Sequence, residues 1–167
     1  MLKKFFVALM LVIPMGLCAQ QKFGHVNSAA IIPLMPEYTT AQTELQSLEK
    51  QYTDEIKRME DELAKKSEEF EAQRATLPAN IAERRQAELQ DLYNRMNQYF
   101  QDGQQHMNQA SAEKMDAIRA KLTAAIKEVG VAGGYVYIMD VAAGVPYISE
   151  TLSTDVTETI KAKLGIK

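Results

Sequence analysis

Glu37–Thr76, EYTTAQTELQSLEKQYTDEIKRMEDELAKKSEEFEAQRAT, runs forty residues without a glycine or a proline. It is rich in Glu, Lys, Gln, Ala and Leu, the strong helix formers, and as one helix it would span about 60 Å. Its apolar residues Leu45, Leu48, Tyr52, Ile56, Met59, Leu63 and Phe70 are separated by steps of three, four or seven. Leu45 to Ile56, Leu48 to Met59, Tyr52 to Leu63 and Met59 to Phe70 are each eleven apart. That repeat keeps one narrow stripe on a nearly straight or slightly right-handed helix, where strict heptads would give a left-handed supercoil. One narrow stripe buries too little to fold alone, so the segment needs a partner.

The partner follows directly. Thr76-Leu77-Pro78-Ala79-Asn80 breaks the helix, and Pro78 suits the first turn of the next. From about Ala79 to Val129 the stripe continues through Leu89, Leu92, Met96, Phe100, Gly103, Met107, Ile118, Leu122, Ala125 and Val129, with polar lapses at Ser111 and Lys114. Two long helices with matching stripes and a short joint predict an antiparallel helical hairpin.

Outward from the hairpin the period changes. Lys22–Asn27 alternates around Phe23 and Val26 and reads as a strand. Ser28 is placed to cap a brief turn through Ile32, which Pro33 and Pro36 interrupt. On the far side Gly130, Gly133 and Gly134 are expected to end the long helix. Tyr135–Asp140 (YVYIMD) reads as a strand, Ala142-Ala143-Gly144 as a turn and Val145–Glu150 (VPYISE) as its hairpin partner, held to an edge by Pro146. Asp155 and Glu158 have capping-box spacing ahead of a short helix carrying Val156, Ile160 and Leu164, which Gly165 stops. The expected fold is α+β, mostly α: residues 20–36 and 130–167 form one small β-body, and 37–129 project from it as a helical arm. Three short strands and one short helix bury little apolar surface, so oligomerisation through the body is expected. Phe23, Val26, Val136 and Ile138 are the residues placed there, part of them at the subunit interface.

Met1–Lys4 is basic, Phe5–Leu17 apolar, and Ala19 a small residue before the chain turns polar. This is the pattern of a secretory signal peptide, too short for a comfortable transmembrane helix, with cleavage placed after Ala19. The rival, lipidation at Cys18, is disfavoured by Leu17 just before it. Removing residues 1–19 takes away Lys3 and Lys4 and moves the net charge from −3 to −5, leaving a cysteine-free chain.

This composition excludes much chemistry. With 1 Cys and 2 His there is no disulfide framework and no thiolate or multi-histidine metal centre. An acidic balance gives no reason to expect nucleic acid. No phosphate loop, nucleophile elbow or HExxH is present, and no enzyme activity, metal or cofactor is expected. Asp102 and His106 share a helix face but read as a solvated polar pair, and His25 as a structural strand histidine. Glu60–Glu71 reads as a solvated face with pairs such as Glu62–Lys66, and Arg84–Arg85 as solubilising rather than anion-binding. The stripe is either packing between the helices or a surface for non-native proteins. Met59, Met96 and Met107 suit the latter, since flexible thioethers adapt to many partners.

The signal peptide, the opening KFGHVNSAAII, the charged helical pair, YVYIMD followed by VPYIS, and the ending TDVTETIKAKLGIK together resemble the Skp/OmpH family of periplasmic chaperones of Gram-negative bacteria. The resemblance covers the mature chain in order. It implies a homotrimer in which three bodies join in a small β-barrel and three arms reach out as tentacles around a cavity. There the family holds unfolded outer-membrane proteins without ATP. Lipopolysaccharide binding, proposed for strongly basic members, is not carried over to a chain at −5, and peripheral membrane contact is left open without being predicted. Leu63, Phe70, Leu89, Leu92, Met96 and Phe100, toward the tip of the arm, are the expected client-binding residues. Gly103, on the stripe in mid-helix, is taken as a hinge, with close approach of the facing helix as the competing reading. The reading from another class is a structural coiled-coil spacer or adaptor of the cell envelope, whose stripe would be fully covered by its partner helix.

Overall fold

A computed structural model describes residues 21–166, so the expected signal peptide and Cys18 lie outside the described residues. In chain order the elements are β1 (Lys22–Val26), α1 (Ser28–Ile31), a 3-10 turn (Ile32–Leu34), α2 (Pro36–Gln73), α3 (Ala79–Gly133), β2 (Tyr135–Asp140), a second 3-10 turn (Val141–Ala143), β3 (Ser153–Asp155) and α4 (Thr157–Leu164). The chain is mostly helical with one small sheet, and it divides into two compact units. One joins the described residues up to Ile32 to those from Lys121 onward; the other is Pro33–Ala120.

The long helices begin and end where local chemistry dictates. Pro36 opens α2 at the position where its missing N–H costs nothing. Between α2 and α3 the Gln73 carbonyl accepts from the Thr76 and Leu77 amides, and the Pro78 carbonyl from Ile81 and Ala82. Gly130 does not end α3 as expected. It stays helical, and the helix runs to Gly133, with Gly134 taking the left-handed conformation (φ 66°) that releases the chain. Asn27, not Ser28, caps α1, its side-chain oxygen accepting from the Ala30 amide at 3.2 Å.

The sheet differs from the expected β-hairpin. Val145–Glu150 is not a strand; the third strand is the shorter, polar β3, and the order is β2-β1-β3 with both outer strands parallel to β1. The reason lies at the end of β2. The Asp140 carboxylate accepts from the Ala142 amide at 3.0 Å and from the Ser28 amide at 3.1 Å, which turns the chain into a 3-10 turn beside α1. Gly144 then takes the left-handed conformation (φ 82°), and Val145–Glu150 after it joins no strand. Pro146 has no N–H for a ladder, and the chain travels on to the far side of β1 before pairing again.

The sheet has an inner and an open face. Gly24 and Val26 are buried on the inner face. Ile138 lies 3.1 Å from where a Gly24 Cβ would stand and 3.5 Å from that of Gly130, so the bare glycines let β1, β2 and the end of α3 close together. Ile31, Leu122, Ala125, Val129, Val156 and Ile160 are the other buried apolar residues of this unit. At the start of α4 Thr157 is buried and satisfied: its hydroxyl accepts from the Asn27 amide at 3.1 Å, and its own amide donates to Asp155 at 2.8 Å.

Hydrogen bonding from the Thr157 side chain, opposed by some desolvation and helped by the Thr157 amide, His25 and Lys161, holds the Asp155 carboxyl below the ordinary aspartate range. A carboxyl whose folded pKa is depressed contributes stability that is present above the unfolded pKa, about 3.9, and lost as pH falls through the folded value. Asp155→Asn is therefore expected to lower the Tm at neutral pH and to flatten its decline below about pH 4. An acid limb with the same slope as wild type would show that the carboxylate contributes nothing.

Candidate functional site

Two surfaces stand out, one in each unit. In the unit Pro33–Ala120 the stripe of α2 is incompletely covered. Leu45, Leu48, Tyr52, Ile56, Met59 and Leu63 are all only half-buried. Leu89, Met96 and Met107 of α3 are likewise half-buried, and Tyr93 and Phe100 are exposed, Phe100 at 49%. A helix facing a single helix keeps part of a stripe this long in water, because each side chain meets neighbours on one side only. Of the six expected client-binding residues, Phe70 and Leu92 are buried within this unit, with the Arg74 guanidinium 6.0 Å from the Phe70 ring centroid. Leu63, Leu89, Met96 and Phe100 retain accessible surface.

Midway along the unit one tyrosine organises the contact between α2 and α3. The Tyr52 ring lies so close to α3 that a Cβ on Gly103 would stand 2.8 Å from Cδ1, inside van der Waals contact. The Tyr52 hydroxyl is 2.8 Å from His106 Nδ1, and the Tyr99 ring centroid is 5.4 Å away. His106 thus turns to Tyr52, while Asp102 accepts from Gln98. Arg58 forks onto Glu55 through Nε at 3.0 Å and Nη2 at 2.6 Å, and this hydrogen bonding holds the Glu55 carboxyl below its usual range. Burial, then the Glu55 carboxylate and Tyr52, push the Tyr99 phenol up. Farther along, Lys114 is ion-paired with Glu44. Glu62 and Lys66 pair at 3.6 Å and Arg84 with Glu88 at 3.5 Å, as i,i+4 spacing allows. Beside Gly103 an open cleft of about 360 Å³ is lined by Tyr52, Ile56, Phe100, Met107, Glu49 and neighbouring amides.

In the other unit the open face of the sheet is apolar. Phe23 stacks on Tyr137 at 4.9 Å between centroids. Around them Tyr137, Met139, Tyr147 and Leu152 are exposed, the last two at 79% and 73%. They line a cleft of about 260 Å³ with Phe23, Ile148 and Ser153. The four body residues named from sequence divide here: Val26 is buried, Ile138 lies on the inner face, Phe23 is half-buried on the open face, and Val136 is exposed beside the irregular register at the start of β2. Sequence reading missed Tyr137, Met139, Tyr147 and Leu152. The alternation of Tyr137 and Met139 carried the signal; Tyr147 was hidden by reading its segment as a strand. His25 Nδ1 is 2.9 Å from Ser153 Oγ and joins β1 to β3. Among the described residues no three His, Cys, Asp or Glu side chains are grouped to hold a metal, and no helix is long and apolar enough to cross a membrane.

The position of Gly103 under Tyr52 is that of close approach. Ala in place of Gly gains about 1 kcal/mol of helix propensity, but overpacking against a ring held on its far side costs about 1–3 kcal/mol. Gly103→Ala is expected to lower the Tm by a few degrees (about 1 kcal/mol net), and adding Tyr52→Ala should cancel the penalty of the added methyl in a double-mutant cycle by thermal unfolding. A rise in Tm from Gly103→Ala alone would favour the hinge.

Comparison with known proteins adds two findings. The family model described as outer membrane protein (OmpH-like) matches residues 22–164. Among solved structures, a candidate OmpH-like outer membrane chaperone from Caulobacter crescentus CB15 superposes with a TM-score of 0.75 at 18% identity, over 87% of this chain and 85% of that one, which speaks for the fold. No curated protein matches the chain in sequence.

Proposed function

The chain belongs to the OmpH-like outer membrane protein family, and from that premise we propose that it is a periplasmic chaperone that holds unfolded outer-membrane proteins without ATP. The single observation that carries this reading is the half-covered stripe of α2 and α3, with Phe100 on it and Tyr93 beside it exposed. A coiled-coil spacer would have its stripe closed by its own partner helix. A stripe that stays partly wet has apolar surface left for another chain.

In this reading α2 and α3 form an antiparallel arm. The pairing supports it: Glu44 meets Lys114 and Tyr52 meets Gly103 and His106, so one helix advances as the other runs back. The open sheet face around Phe23, Tyr137, Met139, Tyr147 and Leu152 is the surface through which three copies join, and β2 lies at an edge of the sheet, available to a neighbouring strand. Three arms then enclose a cavity. An unfolded outer-membrane β-barrel exposes apolar strands whose edges pair and aggregate, and mobile walls around one copy keep it from the next. Each contact with a half-buried Leu or Met is weak and adaptable, so the total holds the client while no single contact retains it, and release needs no energy source.

Two outcomes test the reading. Tyr137→Asp together with Leu152→Asp should lower the mass in analytical ultracentrifugation from trimer toward monomer; a wild-type protein that is already monomeric at micromolar concentration would remove the assembly. Tyr93→Ser, Met96→Ser and Phe100→Ser combined should keep the trimer but weaken suppression of light scattering by a urea-diluted outer-membrane β-barrel about tenfold, against less than about threefold for any single change. Undiminished suppression by the triple variant would mean the stripe serves only packing and would favour the spacer.

A further inference from the structure

The charge of the Pro33–Ala120 unit is one-sided. It carries 11 Lys and Arg against 17 Asp and Glu, a net −6. Nine of the eleven cations are already tied to carboxylates of the same unit, from Lys50–Asp54 to Arg119–Asp116, leaving Lys65 and Arg85 outside these pairs. Glu49, Glu60, Glu68, Glu69 and Glu83 enter no ion pair among the described residues. Glu49 is distinct among these because it lines the cleft beside Gly103, and it is the one charged side chain that does so.

The chemistry of that cleft is specific. Its walls are two aromatic rings, Tyr52 and the half-exposed Phe100, with the aliphatic Ile56 and the thioether of Met107. At the floor Gly103 lets the Tyr52 ring close against α3. An anionic group would meet a carboxylate that enters no ion pair and no cation to neutralise it. A guanidinium or ammonium would meet that opposite charge beside aromatic rings, which attract cations, while its alkyl stem lay along Ile56 and Met107. We propose that this cleft docks arginine or lysine side chains of the unfolded client, so that the arm selects segments in which basic and apolar residues alternate. The proposal rests on the holdase reading and specifies the chemistry of its client. The acidic arm steers such segments inward, and the cleft gives each a place to lodge for a time set by one weak ion pair and one ring contact.

The test uses the full mature protein and two fluorescent unfolded peptides of equal length and equal apolar content, one carrying Arg and the other Glu at alternate positions, read by anisotropy. Suppression of aggregation of a urea-diluted outer-membrane β-barrel is measured in parallel. The Arg peptide is expected to bind about tenfold tighter than the Glu peptide at about 0.05 M salt, with the advantage shrinking toward unity near 0.5 M. Glu49→Lys should weaken the Arg peptide about fivefold, while Glu83→Lys, the same charge change outside the cleft, should weaken it less than about twofold. Equal losses in the two variants would overturn the cleft in favour of a diffuse field. Equal or tighter binding of the Glu peptide, with aggregation still suppressed, would overturn the inference and leave the holdase standing. Failure to suppress aggregation at all would overturn both.

Discussion

Both outer strands of the sheet pair with β1, and neither pairs with the other. This constraint governs the rest. β1 is the first described element, and β2 begins only after roughly a hundred residues of helix, so the sheet cannot form until a loop of that length has closed. Long-range parallel pairing is slow because loop closure must precede any reward. Helix formation within α2 and α3 is local and does not wait for that closure.

The same economy explains the apolar open face. With β1 central, its inner face takes Gly24, Val26 and Ile138 against the end of α3, and the small core is used up there. Among the described residues Tyr137, Tyr147 and Leu152 stay exposed on the other face, Tyr137 stacked only on Phe23. Such a cluster of exposed large side chains is costly to leave in water, which is the observation that the proposed assembly answers.

In the helical unit the balance runs the other way. Tyr52 over Gly103, Phe70 and Leu92 fix how the helices meet, and the remaining stripe is left half-covered. The expected client residues thus separate into two groups that the linear stripe gave no means of distinguishing. Phe70 and Leu92 are buried in the unit, while Phe100, Met96, Leu89 and Leu63 keep accessible surface. Surface charge follows suit, since cations are consumed in local i,i+4 pairs and the surplus carboxylates are left facing outward.

Sequence alone determined the helices. Periodicity, propensity and the Pro78 break are local properties, and α2 and α3 begin within a residue of where they were expected. It determined β1, β2 and α4 for the same reason, because alternation and a glycine stop are written in neighbouring residues. Only the tertiary structure decided that the strands are parallel, that β3 is the polar Ser153–Asp155 rather than Val145–Glu150, and that α3 passes through Gly130. A three-residue strand has no pattern of its own. It is a strand because β1 offers it an edge, with His25 joined to Ser153, and that edge exists only once distant segments have met. Gly103 is the same case: its sequence position allowed a hinge or a close approach, and the ring of Tyr52, fifty-one residues earlier in the chain, is what fills the space its missing Cβ leaves.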